Sequence, residues 1–255
     1  MPTIAVLSLK GGVGKTTVVL GLASAALGRG IRTLVADLDP QCNATAALDP
    51  GQVKNTMADV LATPRRHVVT SAITRSAWGE GVDVLVGSEQ AEAFNDPEPG
   101  SRRLGRLATA VAELPDPYPL TLLDCPPSLG RLTRSALVAA DAALLVTEPS
   151  LFAVSGVQRA AEAVEAEREQ HNPRLRPLGV IVNRVKPRST EHTFRVNELR
   201  ETFDGLVLDP VLPDRAAVAQ AQGACAPLHR LRTAGARDLA AAFDTLLGKA
   251  TPVGP

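Results

Sequence analysis

Short unbroken apolar runs alternate along the chain with longer stretches of helical period. "TIAVLSL" (3–9), "RTLVADLD" (32–39), "VDVLVG" (82–87), "LTLLD" (120–124), "DAALLVT" (141–147), "LGVIVN" (178–183) and "GLVLDPVL" (205–212) read as strands. Helices are expected over 15–27, 101–114, 130–139, 151–170, 190–203 and 233–248, and residues 40–81 read as mostly turns. Gly28 and Gly30 supply stop signals after the first helix. Strands that are apolar on both faces, each followed by a helix, predict an α/β fold with a mostly parallel twisted sheet covered on both sides. Ligands of such sheets sit at the carboxyl ends of the strands. Asp37, Asp39 and Asp124 fall there. With no repeat or low-complexity linker, one domain over 1–250 is expected, "DPEPG" (96–100) as a loop, and 251–255 as a frayed tail.

The first strand runs straight into "SLKGGVGKTT" (8–17). Gly11, Gly12 and Gly14 let the backbone turn its N–H groups inward, around Val13, to form a nest for anionic oxygens. Lys15 is placed to reach the β- and γ-phosphates of a nucleotide, Thr16 to ligate Mg²⁺, and Thr17 to donate to the α-phosphate at the helix N-terminus. This is the expected signature of a P-loop NTPase, except that Leu9 occupies the first glycine's slot and an extra lysine, Lys10, stands beside it. A phosphate loop needs a second carboxylate for the metal's shell, and Asp124 ends an apolar strand in the position for it. Asp37 and Asp39, two apart on extended chain, share one side. One is expected near Mg²⁺ with Asp124, and Asp39 is expected to orient the attacking water.

Composition narrows the picture. Hydrophobic residues make up 45% of the 255-residue chain and charged residues 21%, enough for a large core. Lys+Arg and Asp+Glu are both 27 and aromatics only 3%, so neither a uniformly basic surface nor an aromatic stacking platform for nucleic acid is present. Residues 80–98 nevertheless hold six acids and no base, whereas 184–200 hold five bases (Arg184, Lys186, Arg188, Arg195, Arg200) against Glu191 and Glu198. The three cysteines have no CxxC spacing, which points away from zinc and disulfides and towards a reducing cytoplasm. Neither a signal peptide nor a membrane span is expected.

"KGGVGKTT", "DLDPQCNAT" and "LLDCPPSLG", in that order, resemble the ParA/MinD family of deviant Walker A ATPases, with the partition-type ParA and Soj pattern in the second and third motifs. The likeness continues through "RSALVAADAALLVTEPS" and covers most of the chain. It implies an ATP- and Mg²⁺-dependent ATPase that closes as a nucleotide-sandwich homodimer, with Lys10 crossing to the partner's phosphates. Neutralising charge between two ATP-bearing faces is a coherent use for a second lysine. The resemblance also implies adenine contact by Asn183 and by the loop opening at Pro213 and Asp214, non-specific DNA binding by the dimer, nucleoid association, and a stimulating ParB-like partner. Slow basal turnover is expected, since Asp39 is the one candidate for activating water.

Two departures stand out. "PDRAAVAQA" (213–221) has Asp214 and Ala217 where the family often carries bases, and Cys42 replaces the glycine after "DPQ". The alternative reading is a MinD-like or cargo-distributing ATPase acting on membranes or protein assemblies. The C-terminal "RDLAAAFDTLLGKATPVGP" has only Arg237 and Lys249 as bases against two acids, so packing against the domain is expected of it rather than membrane targeting. A ligase resembling dethiobiotin synthetase is a more distant rival, and it has no use for Lys10 in trans. The chain opens on its first strand, so no N-terminal operator-reading helix-turn-helix is expected.

Overall fold

A computed structural model describes residues 2–95 and 101–251. Eight strands form one sheet: β1 (Thr3–Leu7), β2 (Thr33–Asp37), β3 (Ile73–Arg75), β4 (Val82–Leu85), β5 (Leu120–Asp124), β6 (Ala142–Thr147), β7 (Arg176–Val182) and β8 (Val207–Leu208). Their order is β3-β4-β2-β5-β1-β6-β7-β8, and only the β3–β4 pair is antiparallel. The central strands are buried along their whole length, so no polar face betrays them in sequence.

Eleven α-helices are described: α1 (Lys15–Gly28), α2 (Asn43–Leu48), α3 (Met57–Ala62), α4 (Arg66–Ser71), α5 (Ser101–Leu104), α6 (Arg106–Ala112), α7 (Arg131–Ala139), α8 (Ala153–Gln170), α9 (Thr190–Thr202), α10 (Ala217–Gly223) and α11 (Ala234–Ala250). Alternate residues of each strand feed opposite cores. Ala5 and Leu7 of β1, with Leu123 of β5, pack under α3, α6, α7, α8 and α9. Ile4 and Val6, with Leu120 and Leu122, pack under α1, α2, α10 and α11.

Three expectations change. The stretch read as turns contains α2, α3, α4 and the short edge strand β3. The strand expected over 205–212 pairs only at Val207 and Leu208, because Pro210 has no N–H to continue a ladder. The expected helix over 101–114 is two, α5 and α6. The loop "DPEPG" and the tail beyond Thr251 lie outside the described residues.

Strand register positions the site. β1 is flanked by β5 and β6, and Asp37 of β2 is the direct register partner of Asp124 of β5. The loop after β1 therefore opens between two carboxylates on one side and the β6–α8 turn on the other.

Candidate active site

The β1–α1 loop closes on left-handed glycines, Gly12 at φ 81° and Gly14 at φ 91°. Gly14 is doubly required: a Cβ there would stand 2.3 Å from Asn183 Nδ2. Asn183, just past β7, donates that amide to the Val13 carbonyl at 2.8 Å. It thus ties the far edge of the sheet to the loop. The N-terminus of α1 has no side-chain cap, leaving its first N–H groups for a ligand.

Beside the loop is a cleft of about 510 Å³, lined by Gly12, Gly14, Lys15, Thr16, Asp39 and Arg184 among others. Lys15 is only 6% exposed. Thr16 Oγ1 donates to Asp124 Oδ2 at 2.7 Å, while Asp124 Oδ1 is buried with no hydrogen-bond partner among the described residues. Burial and the adjacent Asp37 push the Asp124 carboxyl well above the ordinary carboxylate range, against the opposing pull of the Thr16 hydrogen bond and Lys15. An orphaned buried carboxylate oxygen beside a hydroxyl suits the hydrated shell of a hard divalent cation. Thr16 and Asp124 fit Mg²⁺, which would neutralise charge on the transferring phosphoryl oxygens.

Asp37, expected at the metal, is hydrogen-bonded within its own loop. Its Oδ2 accepts from the Thr45 N–H and Oγ1, both at 2.8 Å, and its Oδ1 accepts from the Asp39 N–H at 3.2 Å. Burial, with Asp39 close by, raises its pKa too. Asp37 is therefore the anchor of the loop leading into α2. Asp39 faces the cleft, with Oδ1 accepting from the Gln41 N–H at 3.0 Å.

A second crevice, about 470 Å³, adjoins the first and shares Arg184 and Gln222 with it. Thr17, Asn183, Pro213 and Asp214 line it, so the residues expected around the base come together. Asn183 uses one N–H on the Val13 carbonyl, which leaves its second N–H and its carbonyl oxygen for a ligand.

The basic stretch is divided. Arg184, at φ 57°, is exposed, yet it hydrogen-bonds the Gly12 carbonyl and lines both clefts. Arg195 pairs with Glu191 and Glu198, and Arg200 with Asp209. Lys186 and Arg188 are exposed and make no ion pair among the described residues. Lys10 lies outside the phosphate cleft, its Nζ 2.5 Å from Glu148 Oε1 after β6.

Sequence reading missed Thr45, Gln222 and Glu148. Thr45 and Glu148 lie inside quoted motifs without a role of their own, and Gln222 carries no local signal.

This geometry can be set against known proteins. Residues 1–177 match the family model described as AAA domain. The chromosome partitioning protein ParA of Caulobacter vibrioides is 33% identical over 92% of this chain and 89% of its own. The chain belongs to the ParA/MinD group of P-loop ATPases. Among solved structures, the cobyrinic acid a,c-diamide synthase of Mycobacterium smegmatis with bound ATP analogue and magnesium has a TM-score of 0.79 at 28% identity, covering 97% of this chain and 95% of its own. The MinD of Pyrococcus horikoshii, complexed with Mg-ADP, has a TM-score of 0.77 at 26% identity, covering 98% and 96%. ATP and Mg²⁺ are the ligands this ParA/MinD-type site is built for. Among the described residues, no helix is long and apolar enough to cross a membrane.

Proposed function

We propose that this ParA/MinD-type ATPase is an ATP-gated switch of the partition kind: it dimerises on ATP, grips DNA without sequence preference, and releases it after slow hydrolysis. One observation carries the reading. Lys15 lines the cleft of its own protomer, whereas Lys10, only five residues earlier, stands outside it and half exposed. A lysine so placed serves the phosphates of a second copy better than its own.

Lys15, the loop N–H groups and Thr16 bind and orient the phosphates. Asp39, facing the cleft, holds the attacking water. Loss of the γ-phosphate would free the Asp39 loop, an order–disorder switch transmitted through Asp37 and Thr45 to α2. Basal turnover is weak, Mg²⁺-dependent and raised by a partner resembling ParB, the role suggested by the likeness to Caulobacter ParA.

The DNA surface of this reading is small. With Arg184, Arg195 and Arg200 engaged, Lys186 and Arg188 are its main contacts on each protomer. Roughly four phosphates per dimer predict a log–log salt slope of about −4. The test is binding of Asp39→Ala to unrelated duplex DNA with ATP and with ADP over a salt series. ATP-only binding with that slope supports the reading. A dimer that forms with ATP and ignores DNA refutes the DNA part and favours the MinD-like alternative of a membrane or protein cargo.

A further inference from the structure

Two large apolar side chains stand in solvent on the turn that carries Glu148, the partner of Lys10. Leu151 is 64% exposed and Phe152 69%, the highest values among large hydrophobic residues described. They are consecutive, held at the corner of a turn that the Ala153 N–H closes on the Ser150 carbonyl at 3.0 Å. The same β6–α8 turn begins with Glu148, the partner of Lys10. Phe152 and Lys10 line one narrow crevice, with Leu9, Val13, Ser150 and Gly156. Single exposed apolar residues need no explanation, but an adjacent pair on the turn that meets Lys10 does.

We propose that Leu151 and Phe152 are the apolar anchors of the ATP-bound homodimer, buried by a second copy of this chain. The inference rests on the reading that Lys10 reaches the partner's nucleotide. If it does, the partner must cover the surface around Lys10, and the crevice Lys10 shares with Phe152 falls within that footprint. A two-fold contact presents the patch from both protomers, so each dimer buries four apolar side chains beside the two crossing lysines. Apolar anchors encircled by polar groups are the usual energetic centre of such interfaces. Nucleic acid and anionic lipid fit this patch less well, because Lys10 is the base beside it and Glu148 already meets its charge.

Sedimentation equilibrium with a non-hydrolysable ATP analogue tests this, comparing wild type, Leu151→Ser/Phe152→Ser, and Phe194→Ser. Phe194 is 57% exposed on α9 and serves as the control. The double variant is expected to weaken the dimer by roughly a hundredfold. Its monomer should bind fluorescent ATP within about twofold of wild type, and Phe194→Ser should dimerise normally. A double variant that dimerises like wild type overturns the inference and leaves the Lys10 reading standing, as does an equal loss in Phe194→Ser. A double variant that dimerises normally yet loses wild-type pelleting with phosphatidylglycerol vesicles assigns the patch to lipid and overturns it too. A wild type that stays monomeric with the analogue overturns the Lys10 reading itself, before any variant is compared.

Discussion

Lys10 Nζ lies 2.5 Å from Glu148 Oε1, an ion pair joining the phosphate loop to the turn after β6 across 138 residues of sequence. The Lys10 side chain is 56% exposed and Glu148 25%, so the pair contributes only about 0.2–1 kcal/mol to the fold. It holds Lys10 in its own protomer, and a lysine that reaches a second copy must first leave Glu148. Glu148→Gln should therefore change the melting temperature little and tighten ATP-dependent dimerisation by about two- to fivefold per protomer. Melting curves with and without nucleotide, beside a dimer titration, check both halves. Weaker dimerisation would show that Glu148 supports the interface and does not compete with it.

Asp124 is held at a cost to the nucleotide-free fold. Its Oδ1 is buried and unpartnered, and burial beside Asp37 raises its pKa. Asp124→Asn removes that buried titratable carboxyl while keeping the shape. The apo variant should melt at or above the wild-type temperature, yet bind Mg²⁺-nucleotide at least about tenfold more weakly. Melting and fluorescent-nucleotide titration on the same sample separate the two effects. An apo variant that unfolds would mean Asp124 is needed structurally.

The same carboxyls set a pH dependence. Asp37 and Asp124 both have folded pKa values above their unfolded ones, so the folded state binds more protons between the two. Stability of the nucleotide-free protein then falls as pH rises through that window, from the ordinary carboxylate value upward. Mg²⁺ with ATP favours the ionised form, so its stabilising effect should grow over the same range. Thermal melts from pH 5 to 8, with and without Mg²⁺-ATP, test the sign. An apo protein that gains stability towards pH 8 contradicts it.

Cys42 opens α2 in a left-handed conformation, at φ 54°, where the family pattern carries glycine. Burial, with Asp37, Glu89 and Asp39 nearby, pushes its thiol up to about 11. Alkylation of Cys42 should be slow at pH 7 and rise roughly tenfold per pH unit towards pH 11. Peptide mapping after timed iodoacetamide treatment measures this. A fast, pH-independent reaction would show that the thiolate is already formed near neutrality.

Much of this was readable in the chain because the phosphate chemistry is local. Gly11 to Thr17 occupy one loop between a strand and a helix, and β1, β2 and β5 are apolar runs ending in the loop or in carboxylates. What escaped notice depends on distance or on backbone detail. β3 has three residues at a half-exposed edge, too short to show a period. Arg184 reads as a surface base until its left-handed backbone and its bond to Gly12 place it in the cleft. The bonds that Asp37 accepts from Thr45, eight residues on, leave no mark in the local sequence. Asn183 and Gly14 meet across 169 residues, and the lack of room there for any Cβ is visible only in the fold.

The central claim is that Lys10 acts on the nucleotide of a second copy. Mixing Lys10→Ala with Lys15→Ala tests it directly. The first binds ATP and lacks the crossing lysine; the second keeps Lys10 and lacks the lysine that holds ATP. Each alone should be nearly inactive. In the mixed dimer an intact Lys10 faces the ATP of the other protomer, so ATPase activity should reappear and rise with the product of the two concentrations. Mixing that restores nothing, while Lys10→Ala alone still binds ATP normally, would place Lys10 in its own cleft and contradict the account.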